Sequence, residues 1–425
     1  MGMTITEKII ADHAGREEVS PGELVVVKVD GVLTNDISGP IAIRQFEKME
    51  VKDVFDRDKI YMLMDHFTPN ANQQAAEQCK YCREFAKKKG LTHFYDTGNV
   101  GIEHAFLPEM GLTLPGQVII GGDSHTCTYG ALGAFSTGVG STDIAAAMAL
   151  GEIWLKVPES MKVVYGGVRG PYITGKDLIL YTIGKLGVAG ALYKALEFAG
   201  PVVESLSMDS RFTMCNMAIE AGAKNGIMSV GRSHSSVKQF LEKAGGKSAR
   251  PRCYESDADA VYESITEIDV TEMEPQVALP GSPGNAAAVG DCAGVRLDQV
   301  VIGSCTNGRM EDLRAAAEIL SGRRVHPYVR TIIIPATNHI YRQAMKEGLI
   351  DIFMEAGAVV STPTCGPCFG GHMGCLASGE KGLATTNRNF VGRMGAPESQ
   401  LYLSGPAVAA ASAVRGSIVH PQEVL

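Results

Sequence analysis

The sequence predicts a large α/β protein, and three observations carry that reading. Short aliphatic runs recur and end in polar, chemically capable residues. Helix-period segments follow several of these runs. The chain of 425 residues holds 49 glycines against 13 phenylalanines and one tryptophan. The first two features are the alternation of strand and helix that parallel sheets require. The third fits many tight turns and close backbone approaches, as in an enzyme with functional loops.

Taken in order, KIYMLM (59–64) reads as a strand that runs into Asp65 and His66, and ANQQAAEQCKYCREFAKKKG (71–90) as the helix that follows. GQVIIGG (116–122) leads to Asp123, Ser124 and His125, and the helix reading then extends over DIAAAMALGEIWLK (143–156). VPESMKVVYGGVRGP (157–171) begins a new strand pattern, which sets a soft boundary near 157–170. GPYITGKD (170–177) is a near miss for a phosphate loop, with Asp177 where the magnesium-binding hydroxyl would stand. Thr174 and Asp177 instead predict a capping box that opens the helix KDLILYTIGKL. The stretch from 245 to 290 changes composition and reads as irregular connection before a last α/β unit. There LDQVVIGS (297–304) leads to Cys305, MEDLRAAAEIL (310–320) reads as a helix, and AGAVVS (356–361) leads through a Pro/Gly turn to Cys365 and Cys368. The expected domains are 1–160, 161–285 and 286–425. In open parallel sheets ligands bind beyond the carboxyl ends of strands, which is where these polar residues fall.

The formal net charge of −8 argues against a nucleic-acid partner or an anionic membrane surface. No apolar run reaches membrane-spanning length, and the charged N-terminus MGMTITEKIIADHAGREE lacks a signal peptide's apolar core, so a cytoplasmic location is expected. Ten cysteines in such a chain are expected to be mostly reduced, which turns attention to metal or catalytic roles.

GSCTNGR (303–309) and TPTCGPCFGG (362–371) supply one cysteine and a CxxC pair sixty positions apart. A tetrahedral structural zinc site takes four protein ligands and a disulfide takes two; three fits neither. Three thiolates on a [4Fe–4S] cube leave one iron open as a Lewis acid. Spacing alone leaves two competitors standing: a zinc site completed by Cys79 and Cys82, and a lone nucleophilic cysteine. Cys79 and Cys82 share a helical stripe with Ala75 and Ala86, so core packing is expected for them. The same is expected of Cys127, Cys215, Cys253, Cys292 and Cys375.

Three histidines have acidic neighbours: Asp65 with His66, Glu103 with His104, and Asp123 two positions before His125. That repetition suggests carboxylates orienting imidazoles for acid/base work. In MCNMAIEAGA, Asn216 and Glu220 lie four apart, on one face of an expected helix. NRNFVGRMG brings Asn387, Arg388 and Arg393 close together in an acidic protein, and the planar arginine fork suits a di- or tricarboxylic acid.

Taken together, MDH, GIEHAFLPE, GGDSHT, MCNMAIEAGA, GSCTNG, TCGPCFGG and NRNFVGR resemble the aconitase family, in this order and over nearly the whole chain. The resemblance implies three aconitase-type α/β domains packed around an iron–sulfur cluster and a hydro-lyase acting on a hydroxy di- or tricarboxylic acid. It implies one [4Fe–4S] cluster per subunit on Cys305, Cys365 and Cys368, Asn387 close to it, and Arg388 and Arg393 on a substrate carboxylate. It further implies Asp65 with His66 as the group handling the departing hydroxyl, Asp123 paired with His104, and Glu220 paired with His125. Ser124 and Asn216 would line the same pocket, and Asn35, beside Asp36 in LTNDISGP, is a weaker substrate-side position. The family's serine base lies on a swivelling fourth domain that this chain lacks, which implies a small partner subunit in a heterodimer or higher assembly. A regulatory iron–sulfur protein that binds RNA without its cluster is the competing class; the acidic charge and the intact acid/base set count against it.

Overall fold

Aliphatic runs too short for a helix become buried parallel strands. Ile60–Leu63 and Val118–Gly121 are buried at every position, the pattern of strands covered on both faces. The computed structural model describes residues 2–231, 235–244 and 251–425. The chain divides into two compact units, one of Met1–Asn99, Leu107–Gly166 and Ala191–Ile268, the other of Val100–Phe106, Gly167–Gly190 and Asp269–Leu425.

The first unit is built on a five-stranded, wholly parallel sheet in the order His93–Tyr95, Ile60–Leu63, Gly31–Asn35, Val118–Gly121, Phe135–Gly138. The chain lays down the central strand, moves outward to one edge, then returns to the other side of the centre, so the order reverses between Gly31–Asn35 and Val118–Gly121. Its core packs Ile9, Val32, Phe46, Met62, Phe85, Ile120 and Met148 together. A four-stranded sheet in the order Asn225–Ile227, Ala195–Ala199, Ser160–Gly166, Ser264–Asp269 belongs to the same unit.

The second unit carries a seven-stranded sheet in the order Ala286–Ala288, Gln276–Ala278, Gln400–Ser404, Lys381–Ala384, Gln299–Gly303, Arg330–Ile334, Val359–Val360. Its last five strands are parallel and repeat the topology of the first sheet, reversing between Gln299–Gly303 and Lys381–Ala384. The helices Met310–Leu320 and Pro406–Arg415 cover it with Leu313, Ala317, Val408 and Ala411.

Local chemistry sets several element ends as expected. Thr174 and Asp177 form the capping box of the helix Gly175–Leu186. Helix Gln73–Lys89 starts at Asn72, whose side chain accepts from the Ala75 amide, and buries Ala75, Cys79, Cys82, Phe85 and Ala86. Other expectations need correction. The helix over 143–156 stops at Leu150, because Gly151 turns left-handed at φ 74°, and Glu152–Lys156 is a strand antiparallel to Leu24–Lys28. One face of that ribbon is solvent-exposed and carries Leu24, Val26 and Trp154, the last 64% exposed. Cys253 and Cys375 are exposed rather than core, while Cys127, Cys215 and Cys292 are buried as expected; all ten cysteines are free thiols. Asn216 ends the α-helix Met208–Asn216, and Glu220 sits in the 3-10 turn Met217–Ala221, so the two do not share one continuous helical face.

A Cβ at Gly151 would stand 2.6 Å from the Phe55 ring in a left-handed conformation. Gly151→Ala is therefore expected to destabilise the chain by roughly 1–3 kcal/mol. The check is a lower urea midpoint followed by far-ultraviolet circular dichroism; an unchanged midpoint would mean that the ribbon tolerates the strain.

Candidate functional site

In the first unit, three neighbouring parallel strands deliver the expected acid/base residues at their carboxyl ends, on either side of the reversal point. Gly31–Asn35 leads to Asp36, Ile60–Leu63 to Asp65 and His66, and Val118–Gly121 to Asp123, Ser124 and His125. The parallel register aligns these ends, so the strand geometry itself gathers the side chains.

Asp36 organises the group. Its carboxylate accepts from the backbone amides of Asp65 (3.3 Å), His66 (3.0 Å) and Phe67 (2.6 Å), tying one strand end to the next. The His66 imidazole bonds through Nδ1 to Asp65 Oδ1 at 2.7 Å, has Asp36 Oδ1 at 3.8 Å, and presents Nε2 to Asp123 Oδ2 at 3.6 Å. Asp36 and Asp65 are fully buried. Burial pushes the Asp36 carboxyl above the usual carboxylate range, against the pull of the His66 imidazole. Three carboxyl groups around one imidazole, one of them hydrogen-bonded to it, can orient the ring and move a proton.

A second pair stands beside it. His125 Nε2 bonds Glu220 Oε1 at 2.9 Å, and Asp123 Oδ1 receives the His125 amide at 2.7 Å as it caps the 3-10 turn Ser124–Leu132. Asn216 donates to the Thr128 hydroxyl at 2.8 Å, and its carbonyl faces the Cys127 thiol at 3.3 Å. The side-chain carbonyl of Asn35 accepts from Ile37 N and Ser38 N and so shapes the turn into the helix Gly39–Lys48.

In the second unit the reversal point carries Cys305 on one side and Asn387 on the other. Gly303 has φ 139°, and a Cβ there would sit 2.1 Å from the Ile334 carbonyl oxygen, so only glycine allows the turn. Ser304 follows at φ 78°, a left-handed strain that swings the chain into the short helix Ser304–Asn307 bearing Cys305. Thr385 stitches the gap: its hydroxyl accepts from Gly303 N at 2.8 Å and its carbonyl from the Thr306 hydroxyl at 2.6 Å. The Asn387 amide then donates to Cys305 Sγ at 3.4 Å. Cys365 and Cys368 lie on the tight turn after Val359–Val360, where Cys368 N bonds Cys365 O at 3.0 Å, and Gly371 N bonds Gly366 O at 2.8 Å.

His104 belongs to this second unit, with Nε2 at 3.5 Å from Glu103 Oε1, while Asp123 belongs to the first. Arg309, the last residue of GSCTNGR, went unassigned in the sequence; it is buried and donates to the carbonyls of Cys305 (2.7 Å) and His104 (3.2 Å). Arg393 stacks over the Phe369 ring at 6.0 Å, and its buried Nε has no acceptor among the described residues. Arg388 is half-buried beside Asn387. Two arginines follow the strand that faces Cys305, one with a donor still open.

Comparison with known proteins decides what this arrangement belongs to. The profile of the Aconitase family (aconitate hydratase) matches residues 7–295 and 290–416, nearly the whole chain. The chain belongs to the aconitase family. Proteins described as 3-isopropylmalate dehydratase large subunit are similar to it from end to end. That of Desulfitobacterium hafniense (strain Y51) is 59% identical over 427 residues, covering 100% of both chains. That of Syntrophus aciditrophicus (strain SB) is 60% identical over 425 residues with the same coverage. One from Pyrococcus furiosus, described as large subunit 1, is 58% identical over 427 residues, covering 100% of this chain and 99% of its own.

Family membership implies an iron–sulfur cluster, and the second unit of this aconitase-family chain fits one. Cys305, Cys365 and Cys368 are sulfur donors after strands of one sheet, the Asn387 amide already faces a sulfur, and the buried Thr386 hydroxyl has no hydrogen-bond partner among the described residues. The rival four-thiolate zinc site fares worse. Cys79 and Cys82 pack into the core of the first unit on the helix Gln73–Lys89, where the Asn70 amide donates to Cys79 Sγ at 3.2 Å.

Asp36→Asn removes one carboxylate from the His66 group and one of the two acceptor oxygens that hold Asp65, His66 and Phe67. It is expected to cut kcat at least about tenfold, or roughly 1.4 kcal/mol, with a smaller change in KM. Steady-state kinetics of the assembled enzyme check this, and a change confined to KM would make Asp36 a binding residue instead.

Proposed function

We propose that this aconitase-family hydro-lyase is the large, cysteine-bearing subunit of a [4Fe–4S] enzyme that isomerises 2-isopropylmalate to 3-isopropylmalate through isopropylmaleate, a step of leucine biosynthesis. The observation that carries the substrate assignment is the 58–60% identity, over the full chain, to proteins named 3-isopropylmalate dehydratase large subunit. The chemistry is supported by the two strand-end clusters, one of proton-handling pairs and one of thiols and arginines. The division 1–160, 161–285 and 286–425 belongs to this reading, and its support is that each of the first two segments carries most of one sheet and the last most of the seven-stranded one.

Cys305, Cys365 and Cys368 would hold the cluster, one per subunit. When bound, it supplies Lewis acidity that makes a hydroxyl a better leaving group. The chain does the rest. His66, oriented by Asp65 and ringed by Asp36 and Asp123, is the proton donor to the departing hydroxyl and takes the proton back on rehydration. Glu220 holds the His125 ring through a hydrogen bond, and the Glu103 carboxylate stands 3.5 Å from His104 Nε2. Asn387 bonds Cys305 Sγ and draws off its electron density. Arg393 and Arg388 take a substrate carboxylate, Arg393 with its planar fork. Ser124, Asn216 and Asn35 complete the substrate-side lining in this reading. A small subunit supplies the base that removes the carbon-bound proton, so the working enzyme is a heterodimer or larger. Among the described residues no helix is long and apolar enough to cross a membrane, which agrees with a cytoplasmic biosynthetic enzyme.

Anaerobic reconstitution is expected to give about four irons and four sulfides per chain. Serine in place of Cys305, Cys365 or Cys368 should abolish that loading, whereas Cys79→Ser and Cys82→Ser should keep it. Iron and sulfide analysis checks this, and iron lost on changing Cys79 would move the ligand set. The cluster-loaded chain alone should turn over isopropylmalate negligibly, with activity restored as the small subunit is titrated in and saturating at one per large chain. Equal turnover by the lone chain would put the base within this sequence.

A further inference from the structure

Lys176 was set aside in the sequence as part of a failed phosphate loop, yet it occupies an unusual place. It is the second residue of the helix Gly175–Leu186 and fully buried. Its ammonium donates to two backbone carbonyls, Thr385 O at 2.9 Å and Thr386 O at 2.5 Å, and makes no ion pair with a carboxylate among the described residues. A buried ammonium that is not neutralised costs several kcal/mol. Burial accordingly pushes its pKa down to about 7, opposed by the negative charges of Cys305, Asp312, Asp177 and Cys368.

The carboxylates in that set are occupied elsewhere. Asp177 accepts from Thr174 N, the Thr174 hydroxyl and Gln276 N, and burial pushes its own carboxyl up. Asp312 accepts from the Asn307 amide and Arg309 N. The remaining groups in that set are the Cys305 and Cys368 sulfurs, which are anionic when they hold a cluster. Lys176 also grips the two residues immediately before Asn387, the amide that bonds Cys305 Sγ.

We propose that Lys176 is the counter-charge of the cysteine site: a buried ammonium, pinned by the Thr385 and Thr386 carbonyls, that stabilises the anionic cluster and holds the segment carrying Asn387. This rests on the reading that Cys305, Cys365 and Cys368 carry a [4Fe–4S] cluster. Three thiolates on the oxidised core leave one net negative charge, which reduction doubles. A fixed cation nearby therefore favours the loaded protein over the empty one and the reduced cluster over the oxidised one. Without the cluster, the same cation is a burden on folding.

The test compares the full-length chain with Lys176→Met, which removes charge and donor, and Lys176→Gln, which removes the charge and keeps a donor. Each is reconstituted anaerobically. The potential is read by electron paramagnetic resonance titration with dithionite, and stability by urea midpoint with and without the cluster. Both variants are expected to weaken the preference for the reduced cluster about tenfold, a fall of about 59 mV for a one-electron couple. Both should lose iron to a chelator about tenfold faster, while the cluster-free midpoint stays equal or rises. Lys176→Arg should return most of the potential. Potentials equal to that of the unaltered chain would overturn the proposal, as would a lower cluster-free midpoint in both variants, which would make Lys176 a purely structural strut. A potential restored by Gln alone would assign the effect to the carbonyl hydrogen bonds and also overturn it. Failure of the underlying reading looks different: the unaltered chain would then bind no cluster, or would bind the same iron after Cys305→Ser.

Discussion

The chemistry of this chain depends on a topological constraint. A parallel sheet laid down from its centre outward must leave a gap where the order reverses, because the connections on the two sides depart to opposite faces. No chain crosses that gap at the carboxyl edge, and the backbone groups there need partners from side chains. Thr385 meets that need in the second sheet, joining Gly303 to the strand beside it. In the first sheet Asp36, at the end of the strand on one side of that gap, instead holds three successive amides after Ile60–Leu63, its neighbour on the same side. Both act as fasteners, and both place reactive groups next to themselves.

The carboxyl ends of the two sheets carry different chemistry. At the first, Asp36, Asp65 and Asp123 stand around the His66 imidazole, a setting suited to orienting the ring and moving a proton. At the second, thiols and arginines follow the strands and the buried Lys176 ammonium holds the Thr385 and Thr386 carbonyls, a set of groups suited to anions. The net charge of −8 gives no hint of this second character, since a few cations in a crevice outweigh the average only locally.

The sequence was most legible where function sits at the end of a strand. Asp65, His66, Asp123, His125 and Cys305 follow short buried aliphatic runs, and that pattern alone put them at carboxyl edges. The capping box at Thr174 was equally plain, because it is a contact within three residues. Legibility failed where one residue decides a turn or where partners are far apart in the chain. Gly151 hides inside an alanine-rich helical pattern, and the strand after it, Glu152–Lys156, is fixed by pairing with Leu24–Lys28. Asp36 finds its amides about thirty residues on, and Lys176 finds its carbonyls more than two hundred on. Their importance is a property of the folded chain, and no local signal announces it. Arg309 is intermediate: it stood in a quoted motif, but its bond to the His104 carbonyl spans 205 positions.

The ribbon formed by Leu24–Lys28 and Glu152–Lys156 has an optical consequence. The chain's one tryptophan, Trp154, lies on its outer face, 64% exposed. Its indole is already largely hydrated in the native state, so loss of the core should shift its emission little. The same placement makes it a sensitive reporter of anything that covers this face, since burial of an exposed indole moves its emission to the blue. Intrinsic fluorescence in this protein therefore reads the surface, and circular dichroism is the signal that follows unfolding.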